Sequence, residues 1–480
     1  MPSLLTKNCY LCFQIIEMAQ KPSIPKGTRD LLPMDVYRRN YIFNTIRHAF
    51  QKYGFEPIET PSFELSSTLL GKYGDEGDRL VFRILNSGEK VFKANLNALE
   101  EKNARAFVDS VSEKALRYDL TVPLARFVVQ HQHELTFPFK RYQIQPVWRA
   151  DRPQRGRYQE FYQCDADIVG SDSLLHEIDL VLLFDEVLSS LKIPDFTIKI
   201  NNRKVLSGIA EVCGIPDRIV AFTVALDKLD KIGREGVVKE LEVKGFSAMD
   251  ISKLLPILDF SGTNEEKLRQ LDTFLDGSHI GKEGIKELRF IFDRLNSLDP
   301  LCGAFELDIT LARGLNYYTG AIFEVKANGV AIGSICGGGR YDDLTGLFGL
   351  KGLSGIGISF GADRIYDVLE ELDLFPNDIS ENPKVLVLNF GEEEEVNCLR
   401  LVMEIRKNGI ACDYYPSKAK MQKQFKYANE RGYPYVLLIG ESERLNQEVQ
   451  LKNMVSGEQC TFSLNDIVLE LNHLVNSNHV

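Results

Sequence analysis

Hydrophobic and polar positions alternate through Lys140-Arg-Tyr-Gln-Ile-Gln-Pro-Val-Trp148 and again from Phe161 to Val169, with a Pro153-Gln-Arg-Gly156 turn between them. A period of two on either side of a turn predicts two antiparallel strands. On the second, Phe161, Gln163, Asp165 and Asp167 have one parity and share a face. Upstream, Val36, Phe43, Ile46, Phe50 and Tyr53 recur at helical spacing and Gly54 closes that helix. Phe55-Glu-Pro-Ile-Glu-Thr-Pro61 then reads as extended chain, and its prolines suit an edge strand or a contact between subunits. The glycine-rich, charged stretch 71–88 reads as a flap. Leu116-Arg-Tyr-Asp-Leu-Thr-Val-Pro123 predicts a strand that turns into a helix near its proline, with Asp119 at the strand end.

Further along, 174–191 predicts an amphipathic helix and 196–201 a strand. Residues 203–300 change to charged helical segments without any constellation of reactive groups, and Phe305–Thr310 resumes the sheet. Pro376-Asn-Asp-Ile-Ser-Glu-Asn-Pro383 reads as a linker. Beyond it, strands near 385–390, 410–414 and 435–439 alternate with helices, a small α/β unit. Within 417–431, Met421, Phe425 and Ala428 make an apolar face and leave Lys418, Lys420, Lys423 and Lys426 outward, which by itself reads as a solvated face.

A chain of 480 residues, 44% hydrophobic and 26% charged, has room for about three soluble globular domains. No apolar run approaches the roughly 18 residues of a membrane span. The formal net charge of −11 argues against coating nucleic acid by overall attraction, so an RNA partner needs a local basic surface. Nine scattered cysteines predict reduced thiols in the cytoplasm. Cys9-Tyr-Leu-Cys12 has the spacing of half a zinc site but no second pair, and no metal site is assigned. Residues 1–17 have no small-residue cleavage site and read as a disordered tail or as residues ahead of the true start, not as a secretory signal. The seven histidines fall outside every candidate motif.

Arg149, Arg152, Arg155 and Arg157 surround the turn between the two alternating strands. Guanidinium forks suit phosphate because they present paired donors at permanent charge, although an isolated arginine-rich turn is more often a solvated hairpin. Phe161 can stack on a flat base while Gln163 and Asp167 bond a small polar ligand. Asp119 can hold an ammonium group or serve a helix start. In Arg313-Gly-Leu-Asn-Tyr-Tyr-Thr-Gly320, two phenols offer directional bonds without titrating near neutrality. The Gly337–Gly339 run permits close backbone approach or forms a flexible turn. No GxxxxGK[ST] loop occurs, and Gly355-Ile-Gly-Ile-Ser-Phe-Gly361 lacks dinucleotide-binding spacing.

The stretch 146–170 resembles motif 2 of the class II aminoacyl-tRNA synthetases, in wording similar to that of histidyl-tRNA synthetases. Four further blocks extend the resemblance from about Pro25 to the C-terminus: Lys26-Gly-Thr-Arg-Asp30, Leu116–Pro123, Leu311–Gly320 and Gly357-Ile-Ser-Phe-Gly-Ala-Asp-Arg364. It implies an α+β fold with an antiparallel six-stranded catalytic sheet flanked by helices. The expected organisation is a tail (1–20), a catalytic domain in two parts (21–202 and 301–376), a helical insertion (203–300), a linker (377–383) and a C-terminal α/β anticodon-binding domain (384–480).

The implied reaction is formation of histidyl-adenylate from L-histidine and ATP, with Mg²⁺, followed by transfer to the 3′-terminal adenosine of histidine tRNA. Implied contacts are Arg149 on the α-phosphate, Phe161 and Arg364 around adenine, and Asp151 and Arg157 on the nucleotide. Asp119, Leu120, Thr121 and Gln163 are assigned to the histidine amino end, Arg313 to its carboxylate and the reacting phosphate. Asp167, Tyr317 and Tyr318 are assigned to the imidazole. Lys420, Lys423 and Lys426 become tRNA contacts, and motif 1 (the 34–53 helix and its strand) a homodimer interface; no membrane or DNA partner is expected. One departure stands out: Asn316 occupies a position where the family has Asp, which keeps the shape and loses the charge. The regulatory subunit of ATP phosphoribosyltransferase is a rival that generally lacks the terminal domain and the arginine–tyrosine motif. A class II synthetase for another amino acid is a second, opposed by Gln163, Asp167 and Tyr318 together.

Overall fold

A computed structural model describes residues 22–226, 228–312, 317–377, 379 and 383–476. Arg313 and Asn316, the Cys9/Cys12 pair and the expected tail up to residue 20 lie outside the described residues. The chain divides into units 1–376 and 377–480.

The first unit is built on one sheet of eight strands: β1 (Glu56–Pro57), β2 (Phe139–Trp148), β3 (Glu160–Val169), β4 (Phe196–Asn202), β5 (Ala304–Leu307), β6 (Ala321–Ala327), β7 (Cys336–Asp342) and β8 (Ser354–Gly361). Their order is β1-β2-β3-β8-β7-β6-β4-β5. β1 pairs with β2 in parallel, as β4 does with β5, whereas every pairing between is antiparallel. The sheet is therefore mixed and eight-stranded, a correction to the expected six-stranded antiparallel sheet. Both added strands are short edge strands, of two and four residues, too brief to leave a periodic signal. Pro57 sits where the prolines require it, at the sheet's edge.

Four helices place the site: α1 (Pro33–Lys52), α2 (Thr121–Gln130), α3 (Leu175–Ser190) and α4 (Ala362–Glu371). α1 buries Ile42, Phe43, Ile46 and Phe50, and Phe50 packs on Tyr142 of β2 and Phe360 of β8. Stretch 71–88, expected as a flap, holds a short helix (Gly74–Arg79) and a strand (Arg83–Ile84) in a separate three-stranded sheet with Phe63–Leu65 and Lys114–Leu116. In 203–300 the helices Arg203–Cys213 and His279–Asn296 bury Val205, Leu206, Ile209, Leu288 and Phe292 in the same apolar cluster as Ile198, Ile200 and Val325 of the sheet.

The second unit has five strands in the order Cys412–Tyr414, Val385–Val387, Tyr435–Leu438, Glu448–Asn453, Gln459–Ser463. The last two form a hairpin that the sequence pattern left unmarked, because its residues are mostly polar. In the helix Met421–Glu430, Met421 is exposed and Gln424 is buried. The Gln424 amide accepts from the Asn389 N–H (2.9 Å) and donates to the Asn389 carbonyl (2.7 Å), so a hydrogen-bonded glutamine takes the inward position expected of methionine.

One buried ion pair ties the sheet to α3. Arg340 of β7 donates from Nε and Nη2 to the two carboxylate oxygens of Glu177 at 2.6 and 2.7 Å. Its remaining donors meet the Ser171 and Ser173 carbonyls and the Ser354 hydroxyl. Removing one partner strands a charge without water, so Arg340→Ala is expected to cost about 3–5 kcal/mol. Urea unfolding checks this, and the double Arg340→Ala/Glu177→Ala variant should lose less than the two single losses added.

Candidate active site

Three rungs across β2, β3 and β8 form the floor. Gln145, Gln163 and Gly361 make the first; Gln143, Asp165 and Ser359 the second; Arg141, Asp167 and Gly357 the third. Phe161 lies one rung beyond Gln163. Glycine is required at 357, because a Cβ there would overlap the Asp167 carboxylate. The glycine run expected as close approach or a turn is strand β7, where a Cβ on Gly339 would press on the Ala321 carbonyl and the Tyr318 ring.

Two adjoining cavities open above this floor. The smaller, about 50 Å³, is lined by Asp119, Thr121, Gln163, Asp165, Asp167, Tyr317, Tyr318, Tyr341 and Ser359, with Gly357 and Ile358. The larger, about 330 Å³, is bounded by Arg149, Asp151, Arg157, Phe161 and Arg364 among others and shares Gln163, Tyr318 and Ser359 with the smaller.

The small cavity is acidic, and its carboxylates are buried. Arg141 is fully buried and pairs through Nη2 with Asp167 Oδ2 at 2.6 Å, while the Tyr341 hydroxyl donates to Asp167 Oδ1 at 2.7 Å. Burial raises the Asp167 carboxyl and Arg141 opposes the rise. Asp119 accepts from the Tyr73 hydroxyl (3.0 Å), the Tyr317 hydroxyl (3.4 Å) and the Val122 N–H (3.2 Å). It thus serves the start of α2 and faces the cavity as well, and burial lifts its carboxyl too. Burial pushes Asp165 up to about 7, against Arg141 and the Ser359 hydroxyl and with the help of the Asp167 charge. Gln163 donates from Nε2 to the Ser359 hydroxyl at 3.0 Å. Two buried acceptors, Gln163 Oε1 and Asp165 Oδ1, have no donor among the described residues. A buried acceptor without a partner is costly, so this cavity fits a ligand rich in N–H groups.

In the large cavity, Arg149 donates from Nε to the Tyr118 carbonyl at 3.0 Å and lies over the Tyr118 and Phe161 rings, 4.2 and 5.2 Å from their centroids. Arg364 is aimed by the Gly156 and Ser334 carbonyls, at 2.8 and 2.6 Å. Arg157 faces Asp151 at 3.8 Å, and Arg155 instead pairs with Glu371 of α4 at 2.7 Å.

Of the residues singled out in the sequence, Arg149, Asp151, Arg157, Phe161 and Arg364 meet at the large cavity. Asp119, Thr121, Asp167 and Tyr317 meet at the small one, and Gln163 and Tyr318 line both. Leu120 lines neither; it is buried, and its carbonyl accepts from Arg141 at 3.5 Å. In the other unit, Lys420, Lys423 and Lys426 are exposed at and along the helix Met421–Glu430.

Sequence reasoning put Asp165 on the right face but gave it no role, and it missed Arg141 and Arg29. A strand arginine reads as solvent-facing, and only the acidic partner opposite it shows otherwise. Arg29, in the Lys26–Asp30 block, forms an ion pair with Asp363 and stacks on Tyr158 at 3.7 Å. Asp363 also accepts from the Tyr162 N–H at 2.9 Å, and Gln159 donates its N–H to the Gly27 carbonyl at 2.9 Å. The block thereby fastens the chain around the arginine-rich turn to α4.

The sheet, its helices and an arginine-walled cavity beside a small acidic one define a class II aminoacyl-tRNA synthetase. The family model described as histidyl-tRNA synthetase matches residues 27–365, and one described as anticodon binding domain matches 384–474. The histidine–tRNA ligase of Christiangramia forsetii is 59% identical over 94% of this chain and 99% of its own length. That of Bacteroides fragilis is 55% identical with the same coverage. The crystal structure of histidyl-tRNA synthetase from a Nostoc species superposes with a TM-score of 0.76 at 31% identity, covering 94% of this chain and 99% of that one. The chain belongs to the histidyl-tRNA synthetase family. No helix among the described residues is long and apolar enough to cross a membrane.

The raised Asp165 carboxyl links stability to pH. A carboxyl raised on folding contributes stability that is full below its unfolded value, near 4, and lost as pH rises through about 7. Asp165→Asn removes that loss, so the melting temperature of the variant relative to wild type should be higher at pH 8 than at pH 5. Thermal melts across that range check it, and a constant difference would contradict the shift.

Proposed function

We propose that this histidine–tRNA ligase activates L-histidine in the small cavity against ATP in the large one, then passes histidine to the 3′-terminal adenosine of its tRNA. The observation that carries the reading is the pair of adjoining cavities, one reached by Arg149, Arg157 and Arg364 and one by Asp119, Asp165 and Asp167, sharing Gln163, Tyr318 and Ser359.

Activation joins a histidine carboxylate oxygen to the α-phosphorus as the bond to pyrophosphate breaks. The attacking group is already an anion, so the demand is for position and for neutralising the charge that spreads over the phosphate oxygens. We assign the α-phosphate to Arg149, the adenine to Phe161 and Arg364, and further nucleotide contacts to Asp151 and Arg157. Asp119, Thr121 and Gln163 take the amino end of histidine, while Leu120, outside both cavities, supports the site through its carbonyl on Arg141. Asp167, Tyr317 and Tyr318 read the imidazole, and Arg313 takes the carboxylate and the reacting phosphate. In the second step the adenosine hydroxyl attacks the carbonyl carbon and AMP leaves.

Mg²⁺ fits as an ion carried on the phosphates. No group of three or more metal-ligating side chains stands among the described residues, and Glu324 offers one carboxylate in the large cavity. Mg²⁺ favours one or two carboxylates plus phosphates and water, and it would neutralise phosphate charge there.

The remaining assignments are a cytoplasmic homodimer through motif 1, and contact with tRNA phosphates by Lys420, Lys423 and Lys426. The dimer reading rests on α1 and β1, whose strand forms the sheet's edge, and on the exposed Phe63 and Leu65 nearby. We read 21–202 and 301–376 as the two parts of the catalytic domain, 203–300 as the helical insertion, 377–383 as the linker and 384–480 as the anticodon-binding domain.

Histidine-dependent exchange of pyrophosphate into ATP tests the reading. Arg149→Ala should lower kcat about 10²-fold or more, and Arg313→Ala should abolish exchange with the fold intact. Activity is expected with Asn316 in place, so Asn316→Asp should change the rate little; a gain of orders of magnitude would overturn that. Gly357→Ala, which displaces Asp167, should raise KM for histidine and leave KM for ATP near its original value. Arg29→Ala should do the converse, and equal effects on both constants would remove Arg29 from the nucleotide side.

A further inference from the structure

Two residues before Asp119 stands an arginine that lines neither cavity. Arg117 is fully buried, between the strand Lys114–Leu116 and α2. Among the described residues its guanidinium bonds only to neutral acceptors. Nε donates to the Pro146 carbonyl at 2.8 Å, and Nη1 to the Thr60 carbonyl (2.7 Å), the Pro61 carbonyl (3.2 Å) and Gln145 Oε1 (2.9 Å). Nη2 has no partner there, and the Trp148 ring centroid lies 5.7 Å from the guanidinium carbon. Burial pushes this guanidinium down to about 10, against Glu64 and Glu59. A cation withdrawn from water without a bonded anion is a costly way to hold three carbonyls.

What it holds is the junction of three segments: 60–61, which follow the edge strand β1; 145–146 of β2; and the end of its own strand. The backbone strengthens the junction, since the Arg117 N–H donates to the Ser62 carbonyl and the Arg117 carbonyl accepts from the Trp148 N–H, both at 3.1 Å. On each chain the next residues belong to the site. Arg149 follows Trp148 and donates from Nε to the carbonyl of Tyr118, whose ring centroid lies 4.2 Å from its guanidinium. Asp119 follows Tyr118 and lines the small cavity.

We propose that Arg117 is a positioning residue for amino-acid activation: by tying 60–61 and 145–146 to the end of its own strand, it sets the separation of Asp119 from Arg149. This rests on the assignment of histidine to the small cavity and of the α-phosphate to Arg149. Arginine suits the task because one planar group donates from separate nitrogens to acceptors on different segments. A lysine ammonium offers its donors from a single point and cannot span them.

The experiment is histidine-dependent pyrophosphate exchange by the full chain carrying Arg117→Lys, with a melting curve to fix the folded fraction at the assay temperature. The variant should lower kcat about tenfold or more and raise KM for histidine about tenfold, because misplaced groups lose transition-state contacts. KM for ATP should stay within about twofold of wild type. In an Asp119→Asn background the same change should add little to KM for histidine, since Arg117 acts there through Asp119. Gln145→Met, which removes one acceptor and keeps the arginine, should shift the same two constants by less, and it decides the matter if the lysine form does not fold. A folded variant with a lower melting temperature but unchanged kcat and KM for histidine overturns the inference, as do additive effects in the double variant. Wild type without histidine-dependent exchange overturns the reading of the cavities instead, so the two failures are distinct.

Discussion

The pairing of Arg141 with Asp167 is the interaction on which the site depends. Both side chains are withdrawn from water, and two charges are held there only if each compensates the other and the spare donors and acceptors are met. Tyr341 meets the second oxygen of Asp167, and the Leu120 carbonyl and Gln143 meet the Arg141 Nη groups, each at 3.5 Å, while Arg141 Nε has no partner among the described residues. Such a pair adds little to net stability. It fixes instead where a carboxylate can stand, at the wall of the small cavity with Arg141 against it.

The backbone around the pair is shaped to admit it. β8 has glycine opposite Asp167 and serine opposite Asp165, so the sheet is thinnest where the acidic side chains rise from it. β7 is stripped of side chains at 337–339, which brings Tyr318 down against the strand. The price is paid in conformational entropy at those glycines, and it is offset by a sheet packed on its other face through Phe50, Phe184 and Phe360. Arginines reach the large cavity from the turn after β2 and from α4, whereas the three carboxylates of the small one come from β3 and the start of α2.

How much of this the sequence disclosed follows from which signals survive in one dimension. The long alternating strands β2 and β3 were legible, and so was the common face of Phe161, Gln163, Asp165 and Asp167, because period-two patterning is a local property. Arg149, Arg364 and Tyr318 were legible through motifs whose wording resembles a known family. The short edge strands at 56–57 and 304–307 were read as extended chain from their prolines and apolar residues, but their parallel pairing was not, since two or four residues carry no period. Arg141 was not, because its burial is decided by Asp167 on the neighbouring strand. Gln424 was not either, as an inward glutamine is recognised only by the Asn389 backbone it bonds. In each case the missing information was a partner distant in the chain.

Register is the last link between this architecture and its chemistry. Side chains on a strand alternate, so moving β3 by one residue against β2 and β8 would turn Phe161, Gln163, Asp165 and Asp167 to the opposite face together. The hydrophobic pattern resists such a slip, since Cys164, Ala166 and Ile168 are fully buried on the other side. The charged rung resists it more sharply: a slipped Asp167 would lose Arg141 and meet a Cβ where Gly357 now leaves room. A pair that contributes little as stabilisation therefore acts as an alignment pin, and the order in which an aromatic ring, an amide and two carboxylates follow one another along β3 is kept by it.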